Sequence, residues 1–125
     1  MNTEEYNVLS TVSDPTYRDN YDSIGSFKII PKIVSEEKMT VTCMVVVNLL
    51  NRSEMRNESR KAEAELDKVC NEAMKRIKKD FKEAAGRTLK TKQIGRDSSV
   101  ELISMSSYSS KGTALVRNVY SFEVS

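Results

Sequence analysis

The chain has 125 residues, with 20 Lys and Arg against 18 Asp and Glu, so a net charge of +2 gives no global preference for a charged partner. The absence of histidine excludes Ser-His-Asp and Cys-His catalysis, imidazole pH switches and histidine metal ligation. The two cysteines, Cys43 and Cys70, are too few for a disulfide framework or a four-thiolate zinc site. The length predicts one ordinary domain.

Residues 1–25 form an acidic, polar segment, with one Arg against five Asp and Glu. Asp14-Pro15 and Gly25 are turn signals, and the run Tyr6–Val12 favours a short strand. We therefore predict an acidic arm over residues 1–25, outside the core, and a single α+β domain over residues 26–125.

The first residues lack the basic start and apolar run of a secretory signal, and the apolar run at residues 43–50 is too short to span a membrane. These features predict a protein with no membrane partner in a reducing compartment, either the cytoplasm or, for a viral protein, the host cytoplasm.

A period of two begins after the arm and predicts a β-hairpin. Its first strand places Ile29, Pro31 and Ile33 on one face, and Pro31 favours an edge or a bulge. The second strand, Met39 to Leu50, directs five apolar residues inward: Val41, Cys43, Val45, Val47 and Leu49. Its other face is also apolar, at Met44, Val46 and Leu50. That face predicts cover by a second subunit or by the arm, and the sequence favours neither.

A helix is predicted from Asn51, as cap, to Ala85, with Glu54 reaching back and Gly86 ending it. Spacings of three and four give an apolar stripe: Ala62, Leu66, Val69, Cys70, Ala73, Ile77, Phe81 and Ala84. The stripe and the preceding strand predict that Cys43 and Cys70 are buried thiols in one helix–sheet layer.

Three more strands are predicted, at residues 88–94, 100–105 and 113–124, separated by a turn at Gly95-Arg96-Asp97 and a loop at residues 109–112. The order β-β-α-β-β-β predicts an α+β fold. Its antiparallel sheet has about five strands, and one long amphipathic helix crosses one face.

The sequence indicates no catalytic chemistry. It has no Gly-x-Ser-x-Gly elbow, no metal-ligand spacing and no phosphate-binding Gly-rich loop. We therefore expect a protein that is not an enzyme and that has no cofactor, no metal and no small-molecule substrate.

Positive charge is concentrated between residues 75 and 96, which hold nine basic residues against two acidic ones. The candidate nucleic-acid-binding residues are Lys75, Lys78, Lys79, Lys82, Arg87, Lys90, Lys92 and Arg96. The helical lysines follow the spacing i, i+3, i+4 and i+7, which forms one ridge, and the later residues extend it if the turn after the helix is tight. A solvated helix face that complements the helix dipole explains the same charges without a ligand.

These features predict a small non-catalytic accessory protein that self-associates and binds nucleic-acid phosphates through the basic ridge. The alternative is a structural or adaptor protein of an assembly, viral assemblies included, whose arm and ridge make subunit contacts.

Overall fold

Two helices and four strands make up the described fold. A computed structural model describes residues 1–17, 27–105 and 111–125. The helices are α1 (Thr3–Val12) and α2 (Met55–Ala85), and the strands are β1 (Lys28–Ser35), β2 (Lys38–Leu49), β3 (Thr91–Met105) and β4 (Gly112–Val124). The strands form one antiparallel sheet in the order β1-β2-β4-β3.

The start of the arm is a helix, so the predicted strand Tyr6–Val12 is wrong. The side chain of Asn2 accepts a hydrogen bond from the Glu5 amide (2.8 Å), and the Glu5 carboxylate accepts one from the Asn2 amide (3.2 Å). This reciprocal pair satisfies the free amides at the start of α1. Leu9 and Val12 are fully buried in the core, so this part of the arm belongs to the core. The predicted boundary at residues 25 and 26 lies outside the described residues.

The first two strands form the predicted hairpin and have the predicted faces. Ile29 and Pro31 face inward, opposite Cys43 and Val41 of β2. Pro31 lies on an edge strand, the place in a sheet where proline is tolerated. The opposite face of β2 stays open, because Val46 is 53% exposed and α1 packs against α2 on the other side of the sheet. The described part of the arm therefore does not cover this face.

The long helix begins and ends close to the predicted residues. Asn51 accepts a hydrogen bond from the Glu54 amide (3.2 Å), and the Glu54 carboxylate accepts one from the Leu50 amide (3.1 Å). These contacts hold a 3₁₀ turn, Arg52–Glu54, before the first residue of α2. Gly86 ends the helix with a φ of 78°, a left-handed conformation that glycine adopts without strain.

The apolar stripe of α2 packs on β2 and β4. Its predicted members are buried from Ala62 to Phe81, whereas Ala84 is exposed. Phe81, Ile77 and Leu66 belong to the same core cluster as Tyr120 and Phe122 of β4. Cys43 and Cys70 lie in this layer as buried free thiols, as predicted. The Cys43 thiol and burial raise the pKa of Cys70.

The sheet has four strands because residues 91–105 form one strand instead of two. The predicted turn at Gly95-Arg96-Asp97 is wrong. An irregularity between Gln93 and Gly95 takes up one extra residue, and a second lies between Leu102 and Ser104. Between these two irregularities the chain stays extended because it pairs with the 13-residue β4. Gly95 therefore lies at a bulge and not at a turn. Of the predicted loop at residues 109–112, residues 109 and 110 lie outside the described residues, and β4 begins at Gly112.

Candidate nucleic-acid interface

Four lysines occupy the solvent side of α2, in two turns near its C-terminal end. They are Lys75, Lys78, Lys79 and Lys82, and we call this set the lysine face. The buried stripe runs through Ala73, Ile77 and Phe81 on the opposite side of the helix. Lys75, Lys79 and Lys82 are exposed and Lys78 is half-buried, so all four ammonium groups can meet a ligand from outside.

The lysine face contains two pairs of like charges, with the acidic Glu83 four residues after Lys79. Lys75 and Lys79 lie four residues apart, as do Lys78 and Lys82, and residues at that spacing are neighbours on a helix surface. Like charges in such pairs destabilise a helix by about 0.2–0.5 kcal/mol each. Arg76 differs from these lysines because it is half-buried and forms an ion pair with Glu72 (3.5 Å). The described lysine face thus presents positive charge that a bound anion would neutralise.

Arg87 follows α2, and its guanidinium makes contacts with other parts of the same chain. Its Nε donates to the carboxylate of Glu5 in α1. A second guanidinium nitrogen donates to the carbonyls of Thr88 (3.0 Å) and Ser125 (3.1 Å). The guanidinium also lies 5.3 Å from the ring centroid of Phe81, within cation–π range. Arg87 therefore joins α1, the end of α2 and the C-terminus, and its hydrogen bond lowers the pKa of Glu5.

Arg96 is also held by internal contacts. Its Nε donates to the carboxylate of Asp67 in α2 (2.8 Å), which also accepts from the Tyr120 hydroxyl (2.5 Å). The buried Asn118 amide lies 2.9 Å from that hydroxyl, and its oxygen, turned toward Arg96, accepts from the guanidinium (3.3 Å). We call Asp67, Arg96, Asn118 and Tyr120 the polar cluster. It ties α2 to β3 across β4.

The polar cluster shifts the ionisation of its members. Burial acts to raise the pKa of Asp67, but the hydrogen bonds from Tyr120 and Arg96 outweigh it, so the pKa is lowered. The hydrogen bond to Asp67 raises the pKa of Arg96, and burial together with Asp67 raises the pKa of Tyr120. These shifts keep the carboxylate charged and the hydroxyl protonated at neutral pH. The cluster is a structural tie with its charges paired.

Lys90 and Lys92 lie on the other side of the protein. Lys92 is opposite Glu123 in the sheet, and the neighbours of Glu123, Phe122 and Val124, are buried under α2. Because side chains alternate along a strand, Lys92 points away from the helix, and Lys90, two residues before it, shares that side. The predicted continuous ridge is therefore divided, with the helix and the sheet between its two lysine groups.

The sequence concealed the acidic partners of the two arginines. Glu5 is 82 residues from Arg87 and Asp67 is 29 residues from Arg96, so no local spacing relates them. One signal was available: Asn118 is a polar residue at an inward position of β4, between Val116 and Tyr120. A buried amide needs hydrogen-bond partners, and it marks the place where the polar cluster forms.

Comparison with protein-family models, with curated proteins and with solved structures finds no match for this chain. Among residues 1–17, 27–105 and 111–125, no group of three or more Cys, Asp or Glu side chains is placed to hold a metal ion. Neither α1 nor α2, the helices of the described ranges, combines the length and apolar character that crossing a bilayer requires.

Proposed function

We propose that this protein is a small non-catalytic accessory protein that self-associates and binds nucleic-acid phosphates through the lysine face. The observation that carries the proposal is the clustering of Lys75, Lys78, Lys79 and Lys82 on the solvent side of one rigid helix. Lysines brought so close together repel one another, and a polyanion that crosses the helix relieves that repulsion.

Of the eight candidate residues expected from the sequence, we include four in the proposed phosphate contacts. Arg87 and Arg96 each hold a carboxylate and backbone or side-chain oxygens of the same chain. Lys90 and Lys92 point to the opposite side, beside Glu123. The proposed interface therefore consists of the four helical lysines. Phe81 in this region lies in the core, so the contacts are to the sugar-phosphate backbone and do not include base stacking.

The test is a fluorescence-anisotropy titration of the full chain with labelled duplex and single-stranded oligonucleotides of unrelated sequence. We expect binding that is independent of sequence and weakens with salt. The log–log slope is about −0.9 per neutralised duplex phosphate, so four lysines give a limit of about −3.6. Lys78→Glu with Lys79→Glu should weaken binding to every probe and flatten the slope.

The matched control is Lys28→Glu with Lys32→Glu, which makes the same charge change on exposed residues of β1, outside the lysine face. The control variant should lose much less affinity than the helix variant. Equal losses would show that only net charge matters. Absence of binding to either probe at about 50 mM salt, where phosphate contacts are strong, would exclude the proposal.

A further inference from the structure

The two edges of the sheet differ in how well they resist pairing with another strand. The β1 edge carries Pro31, exposed lysines at Lys28 and Lys32, and an irregularity between Ile33 and Ser35. Prolines, lysines and bulges are the features by which proteins block an exposed edge. The β3 edge is 15 residues long and has irregularities of its own near its two ends, but it has no proline and is regular from Gly95 to Leu102. Within the described ranges no strand pairs with its outer side.

Strand β3 is also bare on both faces along most of its length. Every residue from Arg96 to Ser104 is exposed, whereas the facing strand β4 is buried at alternate positions. The helix α2 packs over β2 and β4, and it reaches β3 through the ion pair of Asp67 with Arg96. Leu102 is 41% exposed and Ile103 is 54% exposed. This apolar, unpaired edge resembles half of an interface.

The charges along β3 point to a particular partner. Its first part carries Lys92, and its second part carries Asp97 and Glu101, whereas Arg96 between them is held by Asp67. Two antiparallel copies of one strand place the first part of each beside the second part of the other. Lys92 and Glu101 lie on the same face, the one turned away from α2, because their partners in β4 are Glu123 and Leu115. A register that places Lys92 of each copy opposite Glu101 of the other gives two opposite-charge pairs, one on either side of an axis near Asp97.

We propose that a second copy of this chain pairs with β3, antiparallel and edge to edge, to form one continuous eight-stranded sheet. The inference rests on the self-association in the proposed function and names its surface. Antiparallel neighbours in one sheet are related by a two-fold axis perpendicular to the sheet. Both copies of α2 then lie on the same side of the sheet. In the register that places Lys92 opposite Glu101, the exposed Val100 and Leu102 of each chain face the first part of the partner's β3, on the side that carries α2.

This arrangement has a consequence for the lysine face. The axis carries the lysine face of one copy onto the same side of the dimer as that of the other. One nucleic-acid strand of sufficient length then meets both, which joins two weak sites by effective concentration.

Sedimentation equilibrium of the full chain without nucleic acid tests the interface. We expect the wild-type protein to be a dimer at high micromolar concentration. Val100→Lys with Leu102→Lys should make it a monomer, because inward charges at an edge block strand pairing. The matched control, Ile30→Lys with Val34→Lys, makes the same exchange on exposed residues of β1 and should leave the dimer intact.

Two further measurements keep the inference open to failure. Circular dichroism should show equal secondary structure in all of these variants, and hydrogen exchange should be slow for the β3 amides in the dimer and fast in the monomeric variant. Glu101→Lys should weaken the dimer, and adding Lys92→Glu should restore it.

A wild-type chain that stays monomeric would overturn the inference and the self-association together. A dimer that survives Val100→Lys with Leu102→Lys would overturn the β3 interface and leave self-association standing. Oligonucleotide binding is measured separately, so neither result decides whether the lysine face binds phosphates.

Discussion

The two halves of the basic segment 75–96 use similar side chains for different purposes. Residues 75–85 place lysines on the outer side of α2, where their charges are next to one another. Residues 86–96 contain Arg87 and Arg96, and each guanidinium binds a carboxylate of the same chain. Arginine suits that second use, because its planar donors bind several oxygens in fixed directions. A high local charge in a sequence thus combines structural ties with groups that remain available to a ligand.

We expect the largest effect on stability at Phe81, the core residue under Arg87. Phe81 is fully buried, and the Arg87 guanidinium lies over its ring. We expect Phe81→Ala to lower the free energy of unfolding by about 3–5 kcal/mol, from lost burial and the cavity left behind. Urea denaturation followed by circular dichroism measures it. The exposed Ala84→Gly on the same helix is the control, and it should cost about 1 kcal/mol through helix propensity. An unchanged midpoint for Phe81→Ala would contradict the packing of α2.

The next effect concerns the polar cluster. Tyr120→Phe keeps the ring in the core and removes the hydroxyl that donates to Asp67 and contacts the buried Asn118. A buried polar group left without its partner costs about 1–3 kcal/mol, so we expect destabilisation in that range. Tyr6→Phe in α1 is the matched exchange, and we expect it to be nearly neutral. Equal midpoints for the two variants would show that the cluster contributes nothing to stability.

Arg87 should contribute less to stability, and its loss should act locally. Arg87→Lys keeps the positive charge but removes the fork that reaches Glu5, Thr88 and Ser125. The contact with Phe81 is of a kind that contributes about 0.5–2 kcal/mol, and lysine retains only part of it. We expect faster hydrogen exchange in α1, with a smaller change in the exchange of α2. Equal acceleration of hydrogen exchange in α1 and α2 would show that Arg87 does not act locally on α1.

Much of the fold could be predicted because its signals are local. The period of two in β2 repeats over 12 residues, and the stripe of α2 repeats from Ala62 to Phe81, so errors at single positions do not change the pattern. Val41, Cys43 and Leu49 are buried as predicted. The helix end at Gly86 was predicted for the same reason, since a left-handed terminal residue is a property of one position.

The wrong predictions fall at positions where contacts with residues distant in sequence determine the secondary structure. Gly95-Arg96-Asp97 has the composition of a turn, but pairing with β4 makes it part of a strand. Tyr6–Val12 carries strand-forming residues, but the capping pair of Asn2 and Glu5 and burial of Leu9 select a helix. The division of the basic ridge has the same origin, because the direction of Lys92 depends on its register with Glu123.

The ionisation of Asp67 gives a pH test of its contacts with Arg96 and Tyr120. The unfolded chain has an ordinary Asp pKa, about 3.9, and in the folded state the hydrogen bonds from Tyr120 and Arg96 hold the pKa of Asp67 below its ordinary value. The folded state therefore binds fewer protons in that range. The contribution of Asp67 to stability is complete above the unfolded pKa, and it is lost as pH falls through the lowered folded pKa.

Asp67→Asn should consequently flatten the acid side of a plot of unfolding free energy against pH. It should not abolish that slope, because hydrogen bonds from Arg87 and from Thr16 also lower the pKa values of Glu5 and Asp14. Glu65→Gln, at an exposed carboxylate of α2, is the control. The comparison starts at about pH 5, roughly one unit above the ordinary Asp pKa. If the slope below that pH were the same in Asp67→Asn as in the wild type, the assignment would be wrong.

The smallest expected effect on stability belongs to the lysine face, and its sign is informative. Lys78→Glu with Lys79→Glu replaces repulsion from Lys82 and Lys75 by attraction, at about 0.2–0.5 kcal/mol for each pair. A carboxylate at position 79 also lies four residues before Glu83, and this new like-charge pair offsets part of the gain. The helix dipole acts mainly within the last turn, and Ala85 ends α2 beyond both positions, so the dipole opposes the change weakly. We therefore expect the variant to be as stable as the wild type or more stable by less than about 1 kcal/mol.

Thermal unfolding at low and high salt measures this difference in stability, and salt should reduce the difference because it screens exposed charges. A variant that loses oligonucleotide binding while it gains stability has lost a ligand contact. A clear loss of stability would instead show that these lysines serve the helix itself.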